Sequence, residues 1–291
     1  GSYNIGVRGE EFEALFSTLH GGLVSYRYAG REMLSQMPKP NFWRPMTDND
    51  RGRLLAERYG QWKIASLYLT CKEEIPCDFK HLYGTMAPEV KEEEGYITIT
   101  YTYRMPTVPA SSCRLSYGVY GDGTMKVTLM YDPVEELKDM PEFGVLFRMD
   151  ADYDKVRWFG QGPEETYADK LRGSKLGIYE NRVEDNMAKY LVPQECGNKM
   201  GVYFASVTDE KGRGLLFAGD RMNFSALPYT PHEIENAAHH FELPKRHYTV
   251  IRAAKGQMGV GGDDSWGAWP QPETLLDVSG KMEFVFYLKG I

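Results

Sequence analysis

Apolar residues along this chain recur mostly at every second position, the spacing of a strand with one buried face. From Tyr96 to Tyr103, Ile97, Ile99, Tyr101 and Tyr103 fall on one side and threonines on the other. Phe143, Val145, Phe147 and Met149 repeat the pattern, as do Met200, Val202 and Phe204, and finally Met282, Phe284, Phe286 and Leu288. Cys113 to Tyr120 and Met125 to Tyr131 flank Gly121-Asp122-Gly123-Thr124, which predicts a hairpin with glycines where φ > 0 is needed. Asp209-Glu210-Lys211-Gly212 leads into a return strand at Leu215-Leu216-Phe217. Nearer the start, Phe12 to Gln36 reads as two strands around a turn. Leu23, Ser25 and Arg27 would share one face, with Val24, Tyr26 and Tyr28 on the other.

Two stretches depart from period two. Leu55, Tyr59, Trp62 and Ala65 sit at helical spacing between Leu54 and Leu67. Thr230-Pro231-His232-Glu233 offers a capping threonine, proline at the first helical position and glutamate three residues after the cap. The body of that helix is expected over Ile234 to His239. Asn41 to Gly52 is too polar and turn-rich for a strand interior. With no β-helix-β rhythm, no internal repeat and no linker, the chain is expected to be all-β. It would form one antiparallel sandwich domain over 1–291 with a few short helices.

Composition sharpens this picture. Twenty Tyr, 13 Phe and five Trp among 291 residues favour strands, and aromatic abundance is common in proteins that face carbohydrate. The formal net charge of −7 argues against a nucleic-acid partner. No run of about 18 apolar residues is present to span a membrane. Cys71, Cys77, Cys113 and Cys196 lack paired C-x-x-C spacing, which argues against a structural zinc. They suit free thiols in a reducing compartment, so the cytoplasm is expected, with the periplasm as the alternative. Gly1-Ser2, without methionine, reads as a cleavage scar of recombinant expression, as though the chain were cut from something longer.

The most unusual stretch is Met258-Gly259-Val260-Gly261-Gly262-Asp263-Asp264-Ser265-Trp266-Gly267-Ala268-Trp269-Pro270. Such glycine density marks a loop that needs φ > 0 or close backbone approach. Asp263 and Asp264 can tie it down through bonds to backbone N–H groups. The expected product is a stiff loop holding Trp266 in a fixed orientation, as the apolar face of a pyranose requires. The alternative is that Trp266 and Trp269 are ordinary core aromatics.

Reacting groups are harder to find. Glycoside hydrolysis needs two carboxyls roughly 5–5.5 Å or 6.5–9.5 Å apart. Glu164, Glu165, Glu195 and the Asp263-Asp264 pair are candidates, against the bland reading that they cap backbone donors. Asp48-Asn49-Asp50 begins like a calcium loop, but Gly52 and Tyr59 stand where acids are expected. His239-His240 points two ways on a helix and chelates nothing. No G-x-S-x-G, P-loop or dinucleotide motif occurs. An aldose 1-epimerase would need a facing histidine and glutamate, for which His20, His81, His232 and Glu195 are available. The residues by themselves describe a binding or accessory module.

Four segments, taken in order, carry a resemblance. Asn41-Phe42-Trp43-Arg44-Pro45-Met46-Thr47-Asp48-Asn49-Asp50-Arg51-Gly52 is similar to an F-W-R-x-P-x-D-N-D-x-G signature. Trp158 to Asp169 follows W-x-G-x-G-P-x-E-x-Y-x-D, and Tyr190 to Gly197 is similar to Y-V-x-P-x-E-x-G. Gly259 to Trp266 matches G-x-G-G-D-D-S-W. Together they cover nearly the whole chain and resemble the C-terminal domain, or separate small chain, of glycoside hydrolase family 2 beta-galactosidases. The resemblance implies a supersandwich like that of galactose mutarotase, packed against a catalytic barrel domain or large subunit, with the full enzyme an oligomer. It implies that Trp266 forms part of the beta-galactoside pocket and that Gly52 is a hinge beside it. It also implies that the catalytic glutamates and the magnesium and sodium sites belong to the barrel, leaving this chain without cofactor and inactive alone. The chain departs from the pattern at Met46-Thr47 and at Gly267-Ala268-Trp269-Pro270, which leaves Trp269 without an implied role.

Overall fold

The computed structural model describes residues 3–75, 82–137, 139–264 and 266–291. Its framework is a 12-stranded antiparallel sheet, flanked by a 4-stranded sheet of Asn4–Arg8, Phe12–Ser17, Gly22–Tyr28 and Arg31–Glu32, and by a small pair, Lys72–Ile75 and Leu82–Thr85. The architecture is all-β and antiparallel, as the alternation predicts. One arm of the large sheet runs Lys175–Arg182, Lys155–Gly162, Lys199–Thr208 and Gly214–Leu227, then Met282–Gly290, Met125–Tyr131, Ser111–Tyr120, Tyr96–Met105 and Glu89–Glu93. The other arm branches from the same Gly214–Leu227 strand through Tyr248–Gln257 to Glu142–Asp150 and Gln36–Asn41. That strand changes partner along its length. Leu215 to Gly219 pair with the C-terminal strand, and Asn223 to Leu227 pair with Tyr248–Gln257. Between them Arg221 takes φ +51°, and a strand that crosses between sheets in this way closes the sandwich.

The core follows the period-two reading closely. Ile99, Tyr101 and Tyr103 are buried together, as are Phe143, Val145, Phe147 and Met149, and Met282, Phe284, Phe286 and Leu288. Helix α1 (Asp48–Gly52) occupies the turn-rich segment, and α2 (Leu55–Tyr68) buries Leu55, Tyr59, Trp62 and Ala65. Helix α3 (Pro231–Asn236) has the expected capping box, with Thr230 Oγ1 accepting from Glu233 N. It ends at Asn236, short of the expected His239, because Ala237 is extended (ψ 121°).

Other departures come from bulges, which flip a strand's faces in mid-course. The register skips between Leu15 and Phe16, opposite Val24, so Leu23 and Tyr26 are buried together instead of facing apart. Two shifts along Lys199–Thr208 leave Val202, Ala205 and Val207 buried, with Met200 and Phe204 only half-buried. In the predicted hairpin only Gly123 takes positive φ (+86°), while Gly121 does not.

A buried polar ladder joins these strands. Asn41 Nδ2 donates to Glu142 Oε1 (2.5 Å), and Arg252 donates to Glu142 Oε2 (2.8 Å), Ser225 Oγ (3.1 Å) and both oxygens of Glu195 (2.6 and 2.9 Å). Burial outweighs the pull of Arg252 and, helped by the charge of Glu195, holds the Glu142 carboxyl up at about 7. An elevated folded pKa stabilises the fold below the ordinary carboxyl pKa, and that share is lost as pH rises toward 7. Wild-type stability in urea should therefore fall between pH 5 and 7 by on the order of 1 kcal/mol per pH unit from this group. In Glu142→Gln that slope should flatten; an unchanged slope would show that Glu142 is ionised throughout.

Candidate functional site

The four motif segments, far apart in sequence, converge on α1. Thr47 caps that helix and Asp50 answers it: Asp50 N donates to Thr47 Oγ1 (3.1 Å), and Thr47 N donates to Asp50 Oδ2 (2.8 Å). Asp50 is wholly buried and takes charge-assisted bonds from Arg44 Nη1 (2.5 Å) and from Arg53. Burial opposes the charges on Arg44 and Asp50. Their mutual attraction wins, raising the arginine pKa and lowering that of the aspartate. Arg44 Nη2 then reaches Gly259 O (3.0 Å), clamping the start of the glycine-rich loop to the helix.

From there the loop is pinned along its length. Gly259 N donates to Thr274 O (2.8 Å) and Gly261 N to Asp169 Oδ2 (2.7 Å). Asp264 Oδ1 accepts from Trp266 N (2.8 Å) and Ala268 N (3.2 Å), and Asp263 Oδ1 from Gln271 Nε2 (2.8 Å). Gly267 lies at φ +107°, and a Cβ there would sit 2.5 Å from Gly52 C. A Cβ on Gly52 would in turn lie 3.1 Å from Trp266 O. The structure thus brings Gly52, Asp263, Asp264 and Trp266 into one local arrangement; Ser265 lies outside the described residues.

The two tryptophans part company. Trp269 packs edge-on to Tyr59 (5.8 Å, 82°), with the Arg53 and Arg58 guanidinium groups 5.1 and 4.7 Å from its ring centre. This anchors the loop to α2 and gives Trp269 the structural role that the sequence left undefined. Trp266 is 87% exposed. The expectation that it is a core aromatic is excluded, and a large apolar ring held so far into solvent on a pinned backbone is a surface available for contact.

Beside α1, Asp48 and Gln194 exchange two bonds, Asp48 N to Gln194 Oε1 (3.1 Å) and Gln194 Nε2 to Asp48 Oδ2 (3.0 Å). A cavity of about 210 Å³ opens there, lined by Asp48, Glu165, Lys170, Tyr190, Gln194 and Glu195 among others. The candidate carboxylates are engaged structurally. Glu165 takes bonds from Gly197 N, Lys170 Nζ and Tyr190 Oη, and Glu195 takes bonds from Arg252 and Tyr167 Oη. Glu164 is exposed. The structure joins neither His20 nor His232 to Glu195: His20 is exposed on a turn, and His232 Nδ1 is buried without a partner. His81 and Cys77 lie outside the described residues. His239 bonds Glu242 (3.2 Å), and Cys71, Cys113 and Cys196 are free and buried. Among the described residues no group of three or more metal-ligating side chains gathers, and no helix is long and apolar enough to cross a membrane.

Residues 8–288 match the family described as beta galactosidase small chain. A beta-galactosidase of Halalkalibacterium halodurans is 39% identical, covering 100% of this chain and 28% of its own length. One of Priestia megaterium is 38% identical, over 98% of this chain and 26% of its own. The chain therefore spans about a quarter of these relatives. The beta-galactosidase small subunit of Latilactobacillus sakei is 35% identical, over 98% of this chain and 95% of that subunit. Among solved structures, a galactose mutarotase related enzyme of Lactobacillus acidophilus shares 10% identity at TM-score 0.48, covering 99% of this chain and 97% of its own. The family match over residues 8–288 and the 35% identity with a small subunit covered over 95% of its length have one reading: the chain belongs to the beta-galactosidase small chain family.

Proposed function

We propose that this chain completes the sugar pocket of a glycoside hydrolase family 2 beta-galactosidase, with Trp266 as a wall on which the galactoside stacks. The reacting glutamates, and the magnesium and sodium of the full enzyme, lie on a separate catalytic barrel that this chain abuts. The observation that carries this reading is Trp266 itself, an indole 87% exposed on a backbone fixed by Asp264 and by glycine contact with α1. Support comes from Glu165 and Glu195, whose carboxylates are engaged by lysine, arginine and backbone donors. The much greater length of the homologous beta-galactosidases supports a larger partner as well. Stacking of this kind accelerates hydrolysis by holding the sugar where the barrel's carboxylates reach it. The assembled enzyme is read as an oligomer of the cytoplasm acting on terminal beta-D-galactosides.

Mixing this chain with the catalytic barrel should restore hydrolysis of o-nitrophenyl galactoside that neither piece shows alone. In the assembled enzyme, Trp266→Ala should weaken binding of the reacting sugar by about 1–3 kcal/mol, judged from the worth of an aromatic contact. That is a loss in kcat/KM of roughly 5- to 150-fold, with urea stability unchanged. Unaltered kinetics would instead make Trp266 a contact with the barrel alone or a bystander.

Gly52→Ala should act through the same loop. Its Cβ meets the Trp266 carbonyl, so the expected result is a smaller loss in kcat/KM together with a shift in tryptophan fluorescence. A kinetic loss with fluorescence unmoved would sever Gly52 from Trp266. Asp50→Asn removes one partner of a buried charge cluster and should cost about 3–5 kcal/mol of stability. Because the folded pKa of Asp50 is lowered, the stability it supplies is present at neutral pH and lost as pH falls below the ordinary carboxyl range. Acid unfolding should therefore be steep in wild type and shallower in Asp50→Asn.

A further inference from the structure

A second cavity, of about 430 Å³, opens where the Gly214–Leu227 strand changes partners. That volume falls within the range of about 300–1,000 Å³ typical of small-molecule sites. Its floor holds Asn223 and Gln257, each only 5% exposed. Gln257 Oε1 is buried with no hydrogen-bond partner, and its amide nitrogen reaches Asn198 Oδ1 at 3.3 Å. The Asn223 side chain lines the same cavity. A buried acceptor left open, as Gln257 Oε1 is, calls for an occupant.

The wall is apolar and flat. Tyr203, backed by a stacked Phe159 (5.5 Å, 27°), stands beside Leu176, which is 53% exposed. Arg221, Lys255 and Glu273 also line the cavity, so its lining carries both signs of charge. Arg221 sits at φ +51° and Gly201 at φ +62°, in strands whose register shifts twice. Bulges of this kind re-aim side chains beside functional sites.

We infer that this cavity is a second carbohydrate site, distinct from the Trp266 loop, that binds a neutral saccharide. The C–H face of the sugar lies on Tyr203 and Leu176, and its hydroxyls bond the Asn223 and Gln257 amides. An amide floor donates and accepts at once, as a hydroxyl requires, whereas an anion would call for donors only. The inference does not rest on the role of Trp266.

Equilibrium dialysis of the assembled enzyme with non-hydrolysable thiodigalactoside tests it. Wild type should bind two molecules per copy of this chain. The double variant Tyr203→Ala, Lys255→Ala, both at exposed positions, should weaken one of the two at least tenfold. Its hydrolysis of o-nitrophenyl galactoside should stay within twofold of wild type. Trp266→Ala should leave this site intact and weaken only the other, so failure of either reading is visible separately. Crystals soaked with thiodigalactoside should show sugar between Tyr203 and Asn223. A single bound molecule in both proteins, water alone in the soaked cavity, or displacement of the sugar by inorganic phosphate would overturn the proposal.

Discussion

The arrangement of this chain depends on buried charges that neutralise one another away from water. Asp50 holds Arg44 and Arg53, and Arg252 holds Glu142 and Glu195. Three arginines face the carboxyls of Asp50, Glu142 and Glu195 in nearly complete burial, so each cation finds its partners only when all six side chains are in place. A buried ion pair contributes little net stability against an apolar replacement, but the loss of one member strands a charge. Such a lattice tolerates one geometry, and that geometry brings α1, the 190–197 segment and the glycine-rich loop together. It specifies position more than it adds stability.

Within that frame the loop is shaped by steric exclusion as much as by attraction. Gly52 and Gly267 meet backbone to backbone, at a distance that a methyl group on Gly267 would violate and one on Gly52 would crowd. Gly262 is as confined, with a Cβ placed 2.4 Å from Ala268 O. Glycine is flexible only where space permits, and here the surroundings remove that freedom. The same residues that would make a disordered tether in isolation make a rigid mount in this fold. Trp269, held between Arg58 and Tyr59 at the base, completes the mount on the α2 side.

Much of this was legible in the sequence, and the illegible parts have physical causes. Strict alternation at Tyr96 to Tyr103 and the helical spacing of Leu55, Tyr59, Trp62 and Ala65 report burial directly, since each element buries one face. Alternation fails at Val24 and around Met200 because a bulge changes which face is inward without changing composition. The strand Tyr248–Gln257 hides for another reason: it is buried on nearly every residue, so its pattern shows no period, and Arg252 reads as polar surface. Arg44 and Asp50 likewise look like a solvated turn, because only tertiary packing removes them from water. Leu54 gives no local warning of its left-handed backbone (φ +57°) at the junction of the two helices. The Trp266 loop was visible because glycine, aspartate and tryptophan crowd together there in a mixture that neither a strand nor a helix accommodates. The cavity floored by Asn223 and Gln257 was not, since its residues are ordinary and lie on strands joined only by folding.

The contrast between the two tryptophans bears on why an exposed ring is retained. Burying a side chain of this size stabilises a fold by about 1.5–3 kcal/mol, and Trp269, three residues on, takes part of that gain. Trp266 forgoes it while Asp264 bonds the backbone on both sides of it, so its exposure is imposed by the loop and is not a failure of packing. A loop selected only for stability would turn the ring inward or replace it. The exposed ring on a backbone bonded at both ends is the observation from which the proposal of a shared sugar pocket starts.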